Sequence, residues 1–108
     1  MKFKMSPNIA IPSTDVFKAA EFYTQVLGFS KKSMEPGMVE INADPITLFV
    51  TDDSQLHGPV MELFVDDLEA ARDHLVAHGC EVIRWRGKGN DCYIKDPFGV
   101  TFNLWEVK

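Results

Sequence analysis

Residues 8–29 read NIAIPSTDVFKAAEFYTQVLGF, and residues 60–80 read VMELFVDDLEAARDHLVAHGC. The two stretches carry one pattern. Ile9 aligns with Met61, Ile11 with Leu63, Asp15 with Asp67, Val16 with Leu68, Ala19 with Ala71 and Tyr23 with Leu75, each pair 52 positions apart. After a slip of one residue, Gly28 aligns with Gly79. Each copy holds a short alternating apolar run, an acidic cap, a helical stripe and a terminal glycine. A period near half the chain length predicts two structural copies within one domain rather than a long array.

Outward from these stretches the rest of the chain falls into short extended runs. Thr14 or Asp15 is placed to cap the first helix, and Val16, Ala19, Ala20, Tyr23, Val26 and Leu27 recur at helical spacing. Strands are expected over 8–13, 29–34, 38–42 and 46–51, with Glu35-Pro36-Gly37 and Ala43-Asp44-Pro45 as turns. Residues 52–59 (DDSQLHGP) read as the link. In the second copy Asp66 and Glu69 have capping-box spacing, Leu68, Ala71, Leu75 and Val76 form the stripe, and strands are expected over 60–65, 81–86, 91–95 and 100–107. The result is one α+β domain over 1–108 made of two βαβββ modules, about 8–52 and 60–107.

With 108 residues, 45% apolar and 25% charged, the chain has room for one core and few accessory parts. A formal net charge of −5 argues against non-specific binding to nucleic acid, which needs a basic face. No apolar run approaches the ~20 residues that span a bilayer, and no signal-peptide stretch follows the start MKFKMSPNIA, so a cytoplasmic protein without membrane partners is expected. Cys80 and Cys92 lack metal-ligand spacing and read as free thiols.

Each helix has one apolar stripe and covers one sheet face, which leaves the other face for something else. Alternation places Asn8, Ala10 and Pro12, then Val60, Glu62 and Phe64, then Thr101, Asn103 and Trp105 on that open face. Amides, a carboxylate and aromatic rings make a poor core and a plausible ligand surface. Trp85 and Tyr93 sit mid-strand, where alternation alone does not give their face.

The segment KDPFGVTFNLWE at 95–106 resembles the closing strand of the glyoxalase/bleomycin-resistance/dioxygenase (vicinal oxygen chelate) superfamily. AAEFYTQVLGF at 19–29 and FVDDLEAARDHL at 64–75 are similar to that family's two helix segments. The resemblance implies two βαβββ modules forming a cup-shaped mixed sheet, often completed by dimerisation. It also implies a divalent metal held by His, Gln or Glu from four strands. Carried over by motif, those positions are Asn8, Thr47, Val60 and Asn103. Valine offers no donor atom, and neutral amides are weak partners for a transition metal beside imidazole or carboxylate. Neither a metal nor another cofactor is therefore expected, and metal-dependent catalysis is disfavoured.

Other residues are candidate replacements. His74 and His78 have i, i+4 spacing but lie among polar residues on the solvated side of their helix, and His57 lies in the link. Glu62 reads either as an acid paired with Arg84 or Arg86, or as a carboxylate for a cationic ligand or a general base. Phe3, Phe17, Phe22, Phe29, Phe49, Phe98 and Phe102 are expected in core or turn packing. Phe64 and Trp105 suit either a ligand or a dimer interface.

Three functions follow as expectations. The first is a metal-independent protein of the drug-resistance type that binds a small molecule, possibly cationic, through Asn8, Val60, Glu62, Phe64, Asn103 and Trp105. The second is a glyoxalase-like lyase or isomerase, or a dioxygenase-type enzyme with an atypical or absent metal site, whose catalytic residues are unknown. The third is an interaction module closed by a partner. A homodimer is expected in each case.

Overall fold

The computed structural model describes residues 2–107. Eight strands and two helices follow in the order β1 (Lys4–Ser13), α1 (Val16–Glu21), β2 (Ser30–Glu35), β3 (Met38–Ala43), β4 (Ile46–Asp52), β5 (Val60–Val65), α2 (Leu68–Ala77), β6 (Glu81–Trp85), β7 (Cys92–Lys95) and β8 (Thr101–Glu106). This is the expected α+β arrangement of two βαβββ modules. Pro7–Val60 form one compact unit, and the stretch through Ser6 joins the residues from Met61 onward in the other.

In the N-terminal module the strand order is β2-β3-β4-β1, with β1 parallel to β4 and the other pairs antiparallel. The C-terminal module repeats it as β6-β7-β8-β5, with β5 parallel to β8. Each module has its own core. Val16 and Ala20 of α1 pack on Val39, Ile41, Leu48 and Val50, joined by Ile9 and Ile11. Leu68 and Ala71 of α2 pack on Val65, Cys92, Ile94 and Leu104, joined by Leu63, Trp85 and Phe3.

The likeness of the modules extends to single hydrogen bonds. The Lys18 N–H donates to Asp15 Oδ1 at 3.0 Å, and the Ala70 N–H donates to Asp67 Oδ1 at 3.0 Å. The second cap is thus Asp67 rather than the expected Asp66, because Asp67 is the residue with extended backbone from which its carboxylate reaches the first turn. Past the last strands, the Asp53 N–H donates to the Ser13 carbonyl and the Val107 N–H to the Val65 carbonyl. Each edge strand carries a bulge, between Lys31 and Ser33 in β2 and between Val82 and Arg84 in β6.

The one-residue slip in the repeat has a structural cause. α1 runs directly into a π turn over Phe22–Val26, whereas α2 stays α-helical throughout. The Phe29 N–H reaches back six residues to the Tyr23 carbonyl, and the equivalent Cys80 N–H reaches back five to Leu75. The wider turn absorbs the additional residue, and the Thr24 hydroxyl donates to the Ala20 carbonyl at 2.9 Å within it. Part of each expected stripe is overturned: Val26 and Leu27 in the N-terminal module, and Val76 in α2, are exposed instead of buried. Both helices then stop at glycines with positive φ, Gly28 and Gly79, where a side chain would be strained. Phe17, Phe22 and Phe98, expected in core or turn packing, are exposed, Phe98 at 91% in the turn between β7 and β8.

Candidate functional site

Strand register shows which expected site residues come together. In the C-terminal module Glu62 on β5 pairs with Asn103 on β8, and Phe64 pairs with Trp105. Leu63, Val65 and Leu104, which neighbour them in sequence, point into the helix-covered core. The four residues therefore share the open face, two cross-strand pairs stacked along one strand pair. The row continues across the sheet: Asn103 pairs with Tyr93, and Tyr93 with Arg84. Tyr93 belongs to this open face, with the Arg84 guanidinium carbon 5.2 Å from its ring centroid. Trp85 takes the opposite face and packs against the core.

Glu62 is held from two sides. The Ser6 hydroxyl donates to Oε1 at 2.8 Å, and the Asn103 Nδ2 amide donates to Oε2 at 3.1 Å. The Asn103 side chain is itself fixed, because its Oδ1 accepts the Cys92 backbone N–H at 3.0 Å. A backbone donor on β7 thus sets the amide's orientation, and the amide sets the carboxylate. Arg84 and Arg86, weighed as partners of Glu62, both reach Asp91, at 3.2 and 3.9 Å. Ser6 was missed in the sequence because β1 was expected to begin at Asn8; it begins at Lys4. Ser6 has the same parity as Asn8, and extending the strand by one pleat would have found it.

Trp105 is 38% exposed, so its ring is open to a ligand. Phe64 also lines a groove of about 550 Å³ with Lys2, Phe3, Lys4, Asp66 and Val107, apart from Glu62, Asn103 and Trp105. That volume falls within the range of small-molecule sites, about 300–1,000 Å³. Asn8 on β1 and Val60 at the start of β5 fall in the compact unit Pro7–Val60. Asn8 pairs with Thr47 on the face opposite the partly buried Ile9 and the buried Leu48, and Val60 is only 1% exposed.

The donor chemistry bears on the metal that the resemblance implies. At the matched positions Val60 has no donor atom, and the Asn103 oxygen already serves the Cys92 N–H. These residues do not fit a divalent transition ion. Among the described residues no three His, Cys, Asp or Glu side chains group to hold a metal. His57, His74 and His78 are exposed, and His78 Nδ1 lies 2.8 Å from the His74 carbonyl. Cys80 and Cys92 are free thiols, and burial pushes both up from the ordinary thiol pKa.

A family model described as Glyoxalase/Bleomycin resistance protein/Dioxygenase superfamily matches residues 7–104. Among solved structures, a member of that superfamily from Vibrio splendidus 12B01 is similar at 16% identity with a TM-score of 0.70, covering 98% of this chain and 100% of that one. A structure titled NAD-dependent benzaldehyde dehydrogenase from Legionella pneumophila is similar at 13% identity and TM-score 0.71, covering 94% and 98%. Methylmalonyl-CoA epimerase from Mycobacterium tuberculosis is similar at 21% identity and TM-score 0.57, covering 96% and 87%. At such identities the likeness is one of fold. No curated protein matches the chain.

Proposed function

The chain belongs to the glyoxalase/bleomycin-resistance/dioxygenase superfamily, and on that premise we propose that it is a metal-independent small-molecule-binding protein. The observation that carries this reading is the clamp on Glu62. At the matched eighth-strand position the chain spends Asn103 on orienting a neighbouring carboxylate, donating to it at 3.1 Å while Cys92 holds the other end of the amide. A positioned carboxylate beside the aromatic pair Phe64 and Trp105 suits an organic cation with a flat apolar body. The contact surface is Glu62, Phe64, Asn103 and Trp105, all on one module. Acid–base catalysis by Glu62 is the second reading, favoured by the same orientation.

Metal analysis of the purified protein tests the first claim, and stoichiometric nickel, zinc, iron or manganese would refute it. Native mass spectrometry after exposure to cell extract then identifies the bound molecule. Trp105→Ala is expected to weaken binding of any ligand on this face. Glu62→Gln is expected to cost a cationic ligand about 1–3 kcal/mol and a neutral one little. Turnover of the captured molecule, lost in Glu62→Gln, would favour the enzyme reading.

We also propose a cytoplasmic homodimer. Exposed Phe98 and Phe17, at 91% and 72%, support an apolar contact between copies. Light scattering that finds only a 12.2 kDa species at micromolar concentration would refute the dimer.

A further inference from the structure

The two modules serve as controls for one another. Where α1 and its π turn meet β2, the N-terminal module has a groove of about 350 Å³. Ala20 and Val39, both nearly buried, line it together with Phe17, Thr24, Lys31 and Met34. The C-terminal module fills the equivalent place. Ala20 corresponds to Arg72 by the 52-residue repeat, and Met34 corresponds to Trp85 after the slip. Register confirms the second match: Met34 pairs with Val39, and Trp85 pairs with Cys92, each partner a buried core residue. Trp85 packs against its core, and the Arg72 guanidinium carbon lies 5.0 Å from its ring centroid. Met34 is instead 54% exposed. The N-terminal module therefore lacks an indole ring and its cationic cover at a place where its twin has both.

We propose that this groove binds a planar, electron-rich aromatic ring of about indole size, carried by a small molecule. The volume suits such a ring. Val39 and Ala20 supply an apolar base, and the Met34 thioether is a flexible sulfur that packs well against aromatic rings. Lys31 lines the groove and supplies a cation for the ring face, the role Arg72 plays for Trp85. The site lies in a different module from Glu62 and Trp105, so it stands or falls separately from the function proposed above.

The test is a titration of the full chain with indole, followed by the methyl NMR signals of Ala20, Thr24 and Met34. Saturable shifts of these signals are expected, with cyclohexanol binding about threefold or more weakly because it offers no π face. The double variant Ala20→Arg with Met34→Trp, which copies the filler of the other module, is expected to lose binding by about tenfold or more. Met34→Glu, at an exposed position compatible with folding, is expected to weaken indole as well. Absence of saturable shifts at these methyls, equal affinity for cyclohexanol, or unchanged binding in Met34→Glu would each overturn the proposal.

Discussion

Asn103 shows how much one side chain carries. Its oxygen satisfies a donor on the fully buried Cys92, and its nitrogen orients Glu62. Asn103→Ala strands that backbone N–H and is expected to cost about 1–3 kcal/mol in urea unfolding. Ser6→Ala removes one donor from a carboxylate that keeps the Asn103 bond, and should cost less, about 0.5–1.5 kcal/mol. If Ser6→Ala proved the more damaging, the amide would not be the keystone of the clamp. The thiols give a second prediction. Burial first, then Asp91, pushes the Cys92 thiol up against the opposing pull of hydrogen bonds with Gly87 and Arg86; burial first, then Asp96, raises Cys80. A thiol pKa raised by folding contributes stability that is present below the ordinary thiol value and lost as pH rises through the folded one. Iodoacetamide at pH 8 should therefore label the partly exposed Cys80 first and Cys92 only after unfolding; equal rates in the native protein would contradict this. Parity alone puts Glu62, Phe64, Asn103 and Trp105 on one face, but their pairing across β5 and β8 needs the register, which no alternation encodes. Ser6 was hidden by the lysines and Pro7 around it, which blur the alternation of the strand start.

At the scale of elements, the repeat was legible because caps, stripes and terminal glycines leave local marks. The slip was visible too, but its cause was not. A π turn has no distinct sequence code, and only the backbone shows that Phe22–Val26 holds the additional residue. The face of Trp85 was unreadable for a related reason: the bulge between Val82 and Arg84 resets parity within β6. Since α2 manages the same packing without a wide turn, deleting Gln25 from the N-terminal module should convert the π turn to α-helix. The variant is expected to fold with a loss below about 1 kcal/mol, a melting shift of less than about 4–8 °C. Collapse of the fold would show that the π turn is required rather than tolerated. The matched caps predict matched costs. Asp15→Ala and Asp67→Ala should each cost about 0.5–2 kcal/mol in chemical unfolding. A cap that proved silent would break the equivalence of the modules.

At the scale of the whole molecule, the chain is not divided where its repeat is. β1 is one ten-residue strand, yet its residues through Ser6 group with the C-terminal unit and its residues from Pro7 with the N-terminal unit. Phe3, just before that strand, packs against the C-terminal core and lies 6.0 Å from the His74 ring, and Ser6 bonds Glu62. Melting the C-terminal module therefore releases the start of a strand whose remainder pairs with β4. Such continuity favours one cooperative transition over two. Both tryptophans, Trp85 and Trp105, lie in the C-terminal module, so intrinsic fluorescence reports that module, whereas far-UV circular dichroism reports both. Urea curves by the two probes are expected to coincide. Phe3→Ala should move both midpoints down together by about 1–3 kcal/mol, because a partly buried ring is lost from one core. Fluorescence that falls at lower urea than the dichroism, or a Phe3→Ala effect confined to fluorescence, would mean that the modules unfold separately despite the strand that runs through both.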